Sequence, residues 1–403
     1  MSNPKNPQPK KRRNRPSAMA PSAEHLCWLA QGLARSGSRV EDRWWEQQIE
    51  AAVRQLLEEG NDNVIEQALE HLYRSDESAY GELLDAVESE AEVVTGDKDT
   101  LLLIAAPVLA WSRFSVPAKT VPTAALEHLR TALAAHVFAP GVRFAIANHL
   151  FSPDQLPDGY LPTQRLLKAM QNAALANEDY PVDSDRLNET MVFLSDIRYL
   201  LIAAAIPNGE AIFRWHLPEG DREQAFAAWR KRAHPVFERL LIGCGIELEP
   251  PDAYFTASRK ANRDSRVFAI FAAVAYLATE FDIASSRLRA VIAPCEGNGE
   301  FEYRIGFCLK PSGQVIHGVP WPLIGTDENE EETVERIVAT LRDSGVTDTL
   351  VLRRTLPLEF CEDCGAPLFP NPHGELVHAE MPGENPNGEE PSGHGNPPPR
   401  YLH

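Results

Sequence analysis

Cysteine is scarce in this chain: there are six in 403 residues, Cys27, Cys244, Cys295, Cys308, Cys361 and Cys364. So thin a scatter excludes the dense disulfide framework of a small secreted domain and suits a reducing compartment. Long apolar runs are missing as well. The longest, 101–111 and 267–278, fall short of the roughly 18 residues that mark a membrane span, so they read as core. The N-terminus lacks the apolar stretch of a secretory signal, being polar, basic and dotted with Pro4, Pro7, Pro9 and Pro16. Together these absences lead us to expect a cytoplasmic protein with no membrane insertion.

Positive charge is in short supply outside one end. Lys and Arg number 39 against 58 Asp and Glu, a formal net charge of −19. Residues 1–20 hold Lys5, Lys10, Lys11, Arg12, Arg13 and Arg15 without one acid, so the remainder is more acidic still. Such a body repels phosphate backbones, and nucleic acid is an expected partner only through residues 1–20. Four consecutive cations without interleaved aromatics specify no ligand: nucleic acid, anionic lipid or the acidic body itself would all attract them, and a solubilising tail is the simpler reading.

The familiar catalytic signatures are absent too. No strand leads into Gly-x-x-x-x-Gly-Lys, and Gly297-x-Gly299 sits in a hairpin rather than at a helix start, so nucleotide binding has no support. Neither a Gly-x-Ser-x-Gly elbow nor a His-Glu-x-x-His helix occurs.

What is present is ordinary globular composition, 43% hydrophobic and 24% charged, in a length that favours two or three packed domains. From about Ser22 to Val94 the apolar residues follow helical spacing: Leu26, Leu29, Ala30 and Leu33, then Trp45, Ile49, Ala52, Val53 and Leu56. Ser38 with Glu41 has capping-box spacing, and Gly37 and Gly60-Asn61 stand where helices stop, so three or four short helices are expected. After residues 96–99 apolar runs alternate with amphipathic segments in the order β-α-β-α. A similar order recurs from Tyr199, with Pro153-Asp154 and Pro251-Asp252 in comparable places, which allows an internal duplication of the α/β units.

The section 288–360 predicts a hairpin turning at Gly297-Asn298-Gly299, with Phe301, Tyr303, Ile305 and Phe307 alternating against Glu302 and Arg304. A third strand near Val315 follows, then a helix carrying Val334, Ile337, Val338 and Leu341, then a closing strand at 349–352. The expected class is therefore mixed α/β (α+β), ending in an antiparallel meander with a covering helix and a small Cys-x-x-Cys knob. By region the expectation is a disordered basic arm (1–20), an α-helical subdomain (21–96), an α/β region (97–285), a sheet-rich part (286–360), the knuckle (361–381) and a disordered tail (382–403).

Cys361 and Cys364 carry the one motif with chemistry in it. Their two-residue spacing lets both thiolates face one metal, and Gly365 permits the tight turn whose amides point at the sulfurs. This is half of a zinc site, which His373 and His378, one or both, could complete locally as a structural centre. Two buried thiols under a loop is the competing reading. Thiol redox chemistry is weaker, since Gly365-Ala366-Pro367 opens a helix poorly. A zinc deaminase is rejected because its His-x-Glu precedes the cysteine pair. Elsewhere His149, Asp154, Asp252 and Cys244 lie near predicted strand ends, where α/β proteins place ligands, yet acids there more often cap helices. Cys308 and His317 read as quiet packing residues.

With these residues in view the chain resembles a bacterial family of unknown function, the one numbered 2863 among domains of unknown function. The resemblance rests on Phe360-Cys-Glu-Asp-Cys-Gly-Ala-Pro-Leu-Phe-Pro-Asn-Pro, Val377-His-Ala-Glu-Met-Pro, Phe151-Ser-Pro-Asp-Gln-Leu-Pro and His317-Gly-Val-Pro-Trp-Pro-Leu, and spans about residues 22–382. It implies a bacterial cytoplasmic setting and favours His378 over His373, but it brings no activity or catalytic residue. The function expected is a non-enzymatic binding or regulatory protein with a protein partner and a structural zinc knuckle at Cys361, Cys364 and His378. An enzyme acting on a small molecule in an α/β pocket is the alternative, followed by nucleic-acid association through the arm.

Overall fold

The computed structural model describes residues 19–112, 115–190, 194–297, 300–323 and 328–381. The arm up to residue 18, the C-terminal tail and the Asn298-Gly299 turn lie outside the described residues. The chain forms two compact units, one comprising the residues up to Val93 with Pro157–Arg165, the other Val94–Leu156 with the residues from Leu166 onward.

The first unit is built from four helices, α1 (Pro21–Ala34), α2 (Arg39–Glu59), α3 (Asp62–Ser75) and α4 (Glu77–Glu92). Their buried faces carry Leu26, Leu29, Ile49, Val53, Ile65, Leu72, Leu83 and Val87, the three-and-four spacing that turns one helix face inward. Ser38 Oγ accepts the Glu41 N–H at 3.3 Å. Glu41 does not complete the box; its carboxylate takes the Ser36 hydroxyl and the Gly37 N–H instead, both at 3.3 Å. α2 runs 21 residues and ends at Gly60, whose φ of +73° suits glycine and lets the turn bond back to Leu56 and Leu57.

The second unit opens with a sheet. Its elements are β1 (Val93–Thr95), β2 (Asp99–Trp111), β3 (Lys119–Thr120), α5 (Thr123–His136), β4 (Arg143–Phe151), α6 (Tyr160–Ala176), β5 (Ser195–Pro207), α7 (Arg222–Leu240), β6 (Gly245–Leu248), β7 (Asp252–Ala253) and α8 (Tyr254–Glu280), except that Val93 and the start of α6 up to Arg165 group with the first unit. The sheet order is β1-β2-β5-β4-β3, with β6 and β7 also on β2. Strands alternate with helices as expected, but β2 and β5 are antiparallel neighbours. β4 adds to β5, and β6 and β7 add to β2, again antiparallel. Each β-α-β crossover therefore joins two parallel strands that do not touch, and the leading strand of the other crossover fills the gap. Ile104 lies opposite Ile202 at the centre of this interlock, flanked by the pairs Leu103 with Ala203 and Ala105 with Leu201. Large residues across from alanines leave room for helices: α6 brings Leu167, Met170 and Ala174 onto this core, and α8 brings Tyr254, Ala257 and Ala261.

A five-stranded sheet follows: β8 (Leu288–Gly297), β9 (Glu300–Leu309), β10 (Val315–Pro322), the helix α9 (Glu330–Asp343), β11 (Thr349–Val351) and β12 (Leu356–Pro357). β8, β9 and β10 form the antiparallel meander. β11 and β12 instead pair with β8 in parallel, because the α9 crossover returns the chain to the free edge of β8 in the same direction. Ile337 and Leu341 of α9, with Ile270, Val274 and Leu277 of α8, cover Ile292, Ile305, Phe307 and Trp321. The last elements among the described residues form a two-stranded hairpin, β13 (Phe369–Pro370) and β14 (Leu376–Val377).

Candidate metal centre

Beyond β12 the chain makes a closed loop. Phe360 bridges Pro367, the Cys361 N–H donates to the Ala366 carbonyl at 2.7 Å, and the Gly365 N–H returns to the Cys361 carbonyl at 2.8 Å. Gly365 has φ +73°, the left-handed conformation the tight turn requires. The turn between β13 and β14 is held by Asn371, whose side-chain oxygen accepts the His373 and Glu375 N–H groups at 2.9 and 3.0 Å. With Phe369 opposite Val377, the hairpin carries His378 back beside the loop.

Cys364 Sγ and His378 Nε2 are 3.3 Å apart, and the ligand atoms of Cys361, Cys364 and His378 all lie within 4.8 Å of one another. A tetrahedral zinc with bonds of about 2.0–2.3 Å would separate its donors by roughly 3.5–3.8 Å, so this group could hold a metal with little movement. The amide of Cys364 foremost, then that of Asp363 and the Cys364 thiol, donate to the Cys361 sulfur and hold its thiol below the ordinary range. Cys364 and His378 are exposed and Cys361 half-buried, which overturns the competing picture of two buried thiols. His373 stays exposed, outside the group, and its backbone is committed to Asn371.

The stem beneath the site is rigid for reasons the sequence reading missed. Arg304 is fully buried in β9, paired with Glu302 at 2.7 Å. Its guanidinium donates to the Leu368 carbonyl at 2.7 Å and to the Glu359 carbonyl, so it grips both ends of the loop. The same group stacks on Phe360, 4.9 Å from the ring centroid. Phe369 is buried above Gly318 and Gly306: a Cβ at Gly318 would overlap its ring, and one at Gly306 would overlap the Pro370 carbonyl. An arginine interrupting an apolar strand and two glycines on adjacent strands were the available signals.

The other candidates divide. Three gather at one end of the seven-stranded sheet around Arg198, which is only 1% exposed. That guanidinium pairs with Asp196 at 2.5 Å and donates to the Pro117 carbonyl at 3.0 Å and to the carbonyl of Val116. Burial pushes the Asp196 carboxyl up despite the pairing, and the charge of Asp154 adds to the rise. His149 Nε2 lies 3.2 Å from the Gln155 side-chain oxygen, which assigns the proton to Nε2. His149 Nδ1 is buried without a hydrogen-bond partner among the described residues. Burial first, then Arg198, lowers the His149 pKa against the Gln155 hydrogen bond. Burial raises the Cys244 thiol.

Asp252 lies apart, paired with Arg222 at 2.5 Å and bonded to the Ala253 N–H at the start of α8, the structural role acids at strand ends usually have. Cys308 packs with Val291, Val315 and Phe369, and burial pushes its thiol up to about 12. His317 is buried beside the rings of Phe307 and Tyr276.

Fold and site together define a mixed α/β protein with a two-thiol, one-imidazole group on a surface knob. The chain belongs to the family described as protein of unknown function (DUF2863), which matches residues 11–391 and so reaches further into both ends than the 22–382 that the sequence phrases marked. No curated protein and no solved structure matches it. Among the described residues no helix is long and apolar enough to cross a membrane.

Proposed function

We propose that this is a non-enzymatic binding or regulatory protein whose C-terminal knob is closed by a structural zinc ion on Cys361, Cys364 and His378. One observation carries the reading: three ligand atoms from two separate turns converge within 4.8 Å. Two thiolates and an imidazole form a donor set that suits zinc better than calcium, magnesium or manganese. A metal there would tie the loop to the hairpin at the point where Cys364 and His378 already approach. Three protein donors leave a fourth position for water or for a partner's side chain, and the exposed tip on a rigid stem is suited to presenting it. Reduced thiols fit a reducing compartment, in keeping with a cytoplasmic location.

The test is the metal content of the untagged chain against a Cys361→Ser, Cys364→Ser variant. About one zinc per chain, lost in the variant, is expected; no zinc in either sinks the reading.

A second reading, an enzyme acting on a small molecule, is favoured by the buried His149 Nδ1, which has no hydrogen-bond partner among the described residues. An ordered water satisfies such an atom more simply. A small molecule that raises Tm in the parent chain but not in His149→Ala would support the enzyme; a screen in which none does so leaves the water.

A further inference from the structure

The helical unit carries an aromatic ladder unrelated to the knob. His25 stacks on Trp28 with centroids 5.7 Å apart, Trp28 meets Trp45 edge-on at 5.1 Å, and Trp45 meets Trp44 at 4.7 Å. Trp28 is 53% exposed and Trp44 49% exposed, with Val40 exposed nearby in sequence. The ladder is built in: a Cβ at Gly32 would stand 2.6 Å from the Trp45 ring, so the glycine admits that indole against α1. A contiguous exposed aromatic patch of this kind marks an interaction surface. Along the other edge of α2 the field is negative. Burial foremost, and repulsion from Asp85, Glu46 and Asp42, push up the Glu82 carboxyl, while burial and Glu90 do the same for Glu50. The repulsive part of those rises is relieved by a cation, as Arg54 already does in part for Glu50, and an indole face is the best aromatic partner for one.

We propose that the occupant of this surface is the chain's own basic arm, residues 5–15. Its six cations are the concentrated positive charge of an otherwise acidic protein, and it joins the unit at the right place. Arg15 precedes Pro21, the first residue of α1, by a stretch that spans up to about 20 Å. Trp28 stands about 10 Å along the helix axis from Pro21. Arg12, Arg13 and Arg15 therefore reach the indoles without unwinding any helix, and so short a tether gives an effective concentration on the order of millimolar.

Trypsin cleavage within residues 10–15 of the full chain, followed by mass spectrometry, is compared with cleavage of a free peptide of residues 1–18 in the same buffer. At about 50 mM salt the arm should be cut at least about five-fold more slowly than the peptide, and the protection should vanish near 0.5 M salt. A Trp28→Ser, Trp44→Ser variant should lose the protection at low salt. Equal rates for chain and peptide overturn the proposal. So does protection that survives in the variant, which places the arm elsewhere, or that grows with protein concentration, which places it on a second copy. Should that variant fail to fold, Lys10→Gln, Lys11→Gln, Arg12→Gln, Arg13→Gln serves instead. Acrylamide should quench its tryptophan emission more strongly than the parent's at low salt, and unchanged quenching is the contrary result.

Discussion

Cys361 and Cys244 are the same residue in opposite physical states. Cys361 sits on a surface loop where amides point at its sulfur and its thiol is held low. Cys244 sits half-buried at the sheet end, where lost solvation outweighs the nearby Arg198 and its thiol is pushed up. The histidines of the two regions differ in the same sense. His378 is exposed and 3.3 Å from Cys364, whereas His149 is enclosed and lowered. The knob gathers donors that a metal can reach; the sheet end encloses its groups around the buried Arg198–Asp196 pair. Polar residues clustering is thus no guide to chemistry until solvent access and local dipoles are known.

The sharpest way to break the comparison is at the buried end. Arg198→Met leaves Asp196 enclosed without its cation and should cost about 3–5 kcal/mol, read as a large drop in the urea midpoint. Zinc binding should survive in whatever fraction remains folded. Gly318→Ala attacks the knob's stem. With Phe369 displaced, a loss of about 1–3 kcal/mol is expected, together with weaker zinc retention against a chelator. An unchanged chelator titration would uncouple stem from site.

Acid should sharpen the contrast. Metal requires both thiols deprotonated, so zinc is released as pH falls, and the lowered Cys361 thiol should delay that release relative to an ordinary cysteine. In the metal-free protein at neutral pH, iodoacetamide should label Cys361 well before Cys244, checked by peptide mapping. The smallest effect belongs to a half-buried pair. The hydrogen bond from Arg289 first, and that from Lys310, hold Asp348 low. A carboxylate depressed in the fold contributes stability above its unfolded pKa of about 3.9 and loses it as pH falls through the folded value. Asp348→Asn should therefore cost less than about 1 kcal/mol at neutral pH and nothing once the pH is below that window, measured by denaturation at both.

Much of this was legible in the sequence because it is local. Helix faces such as Ile49, Val53 and Leu56 repeat every three or four residues, the β9 alternation repeats every two, and the loop at Cys361 needs only a two-residue spacing and Gly365. His378 was named from a resemblance in the surrounding phrase, and the hairpin at Asn371 explains how it arrives. Asp196 and Arg198 were not singled out, since an ion pair inside a strand has no periodic signature.

The sequence by itself determined the helical and strand periodicities, the acidic composition with its basic arm, and the cysteine pair of the candidate metal centre, all of which follow from spacings within a few residues or from composition; the hairpin brings His378 to that pair. Tertiary structure alone decided that the two crossovers interlock around Ile104 and Ile202, that β11 and β12 return in parallel, and that Arg304 and two glycines seat the knob. Those outcomes depend on which distant surfaces bury one another, a global competition among packings that no local spacing encodes.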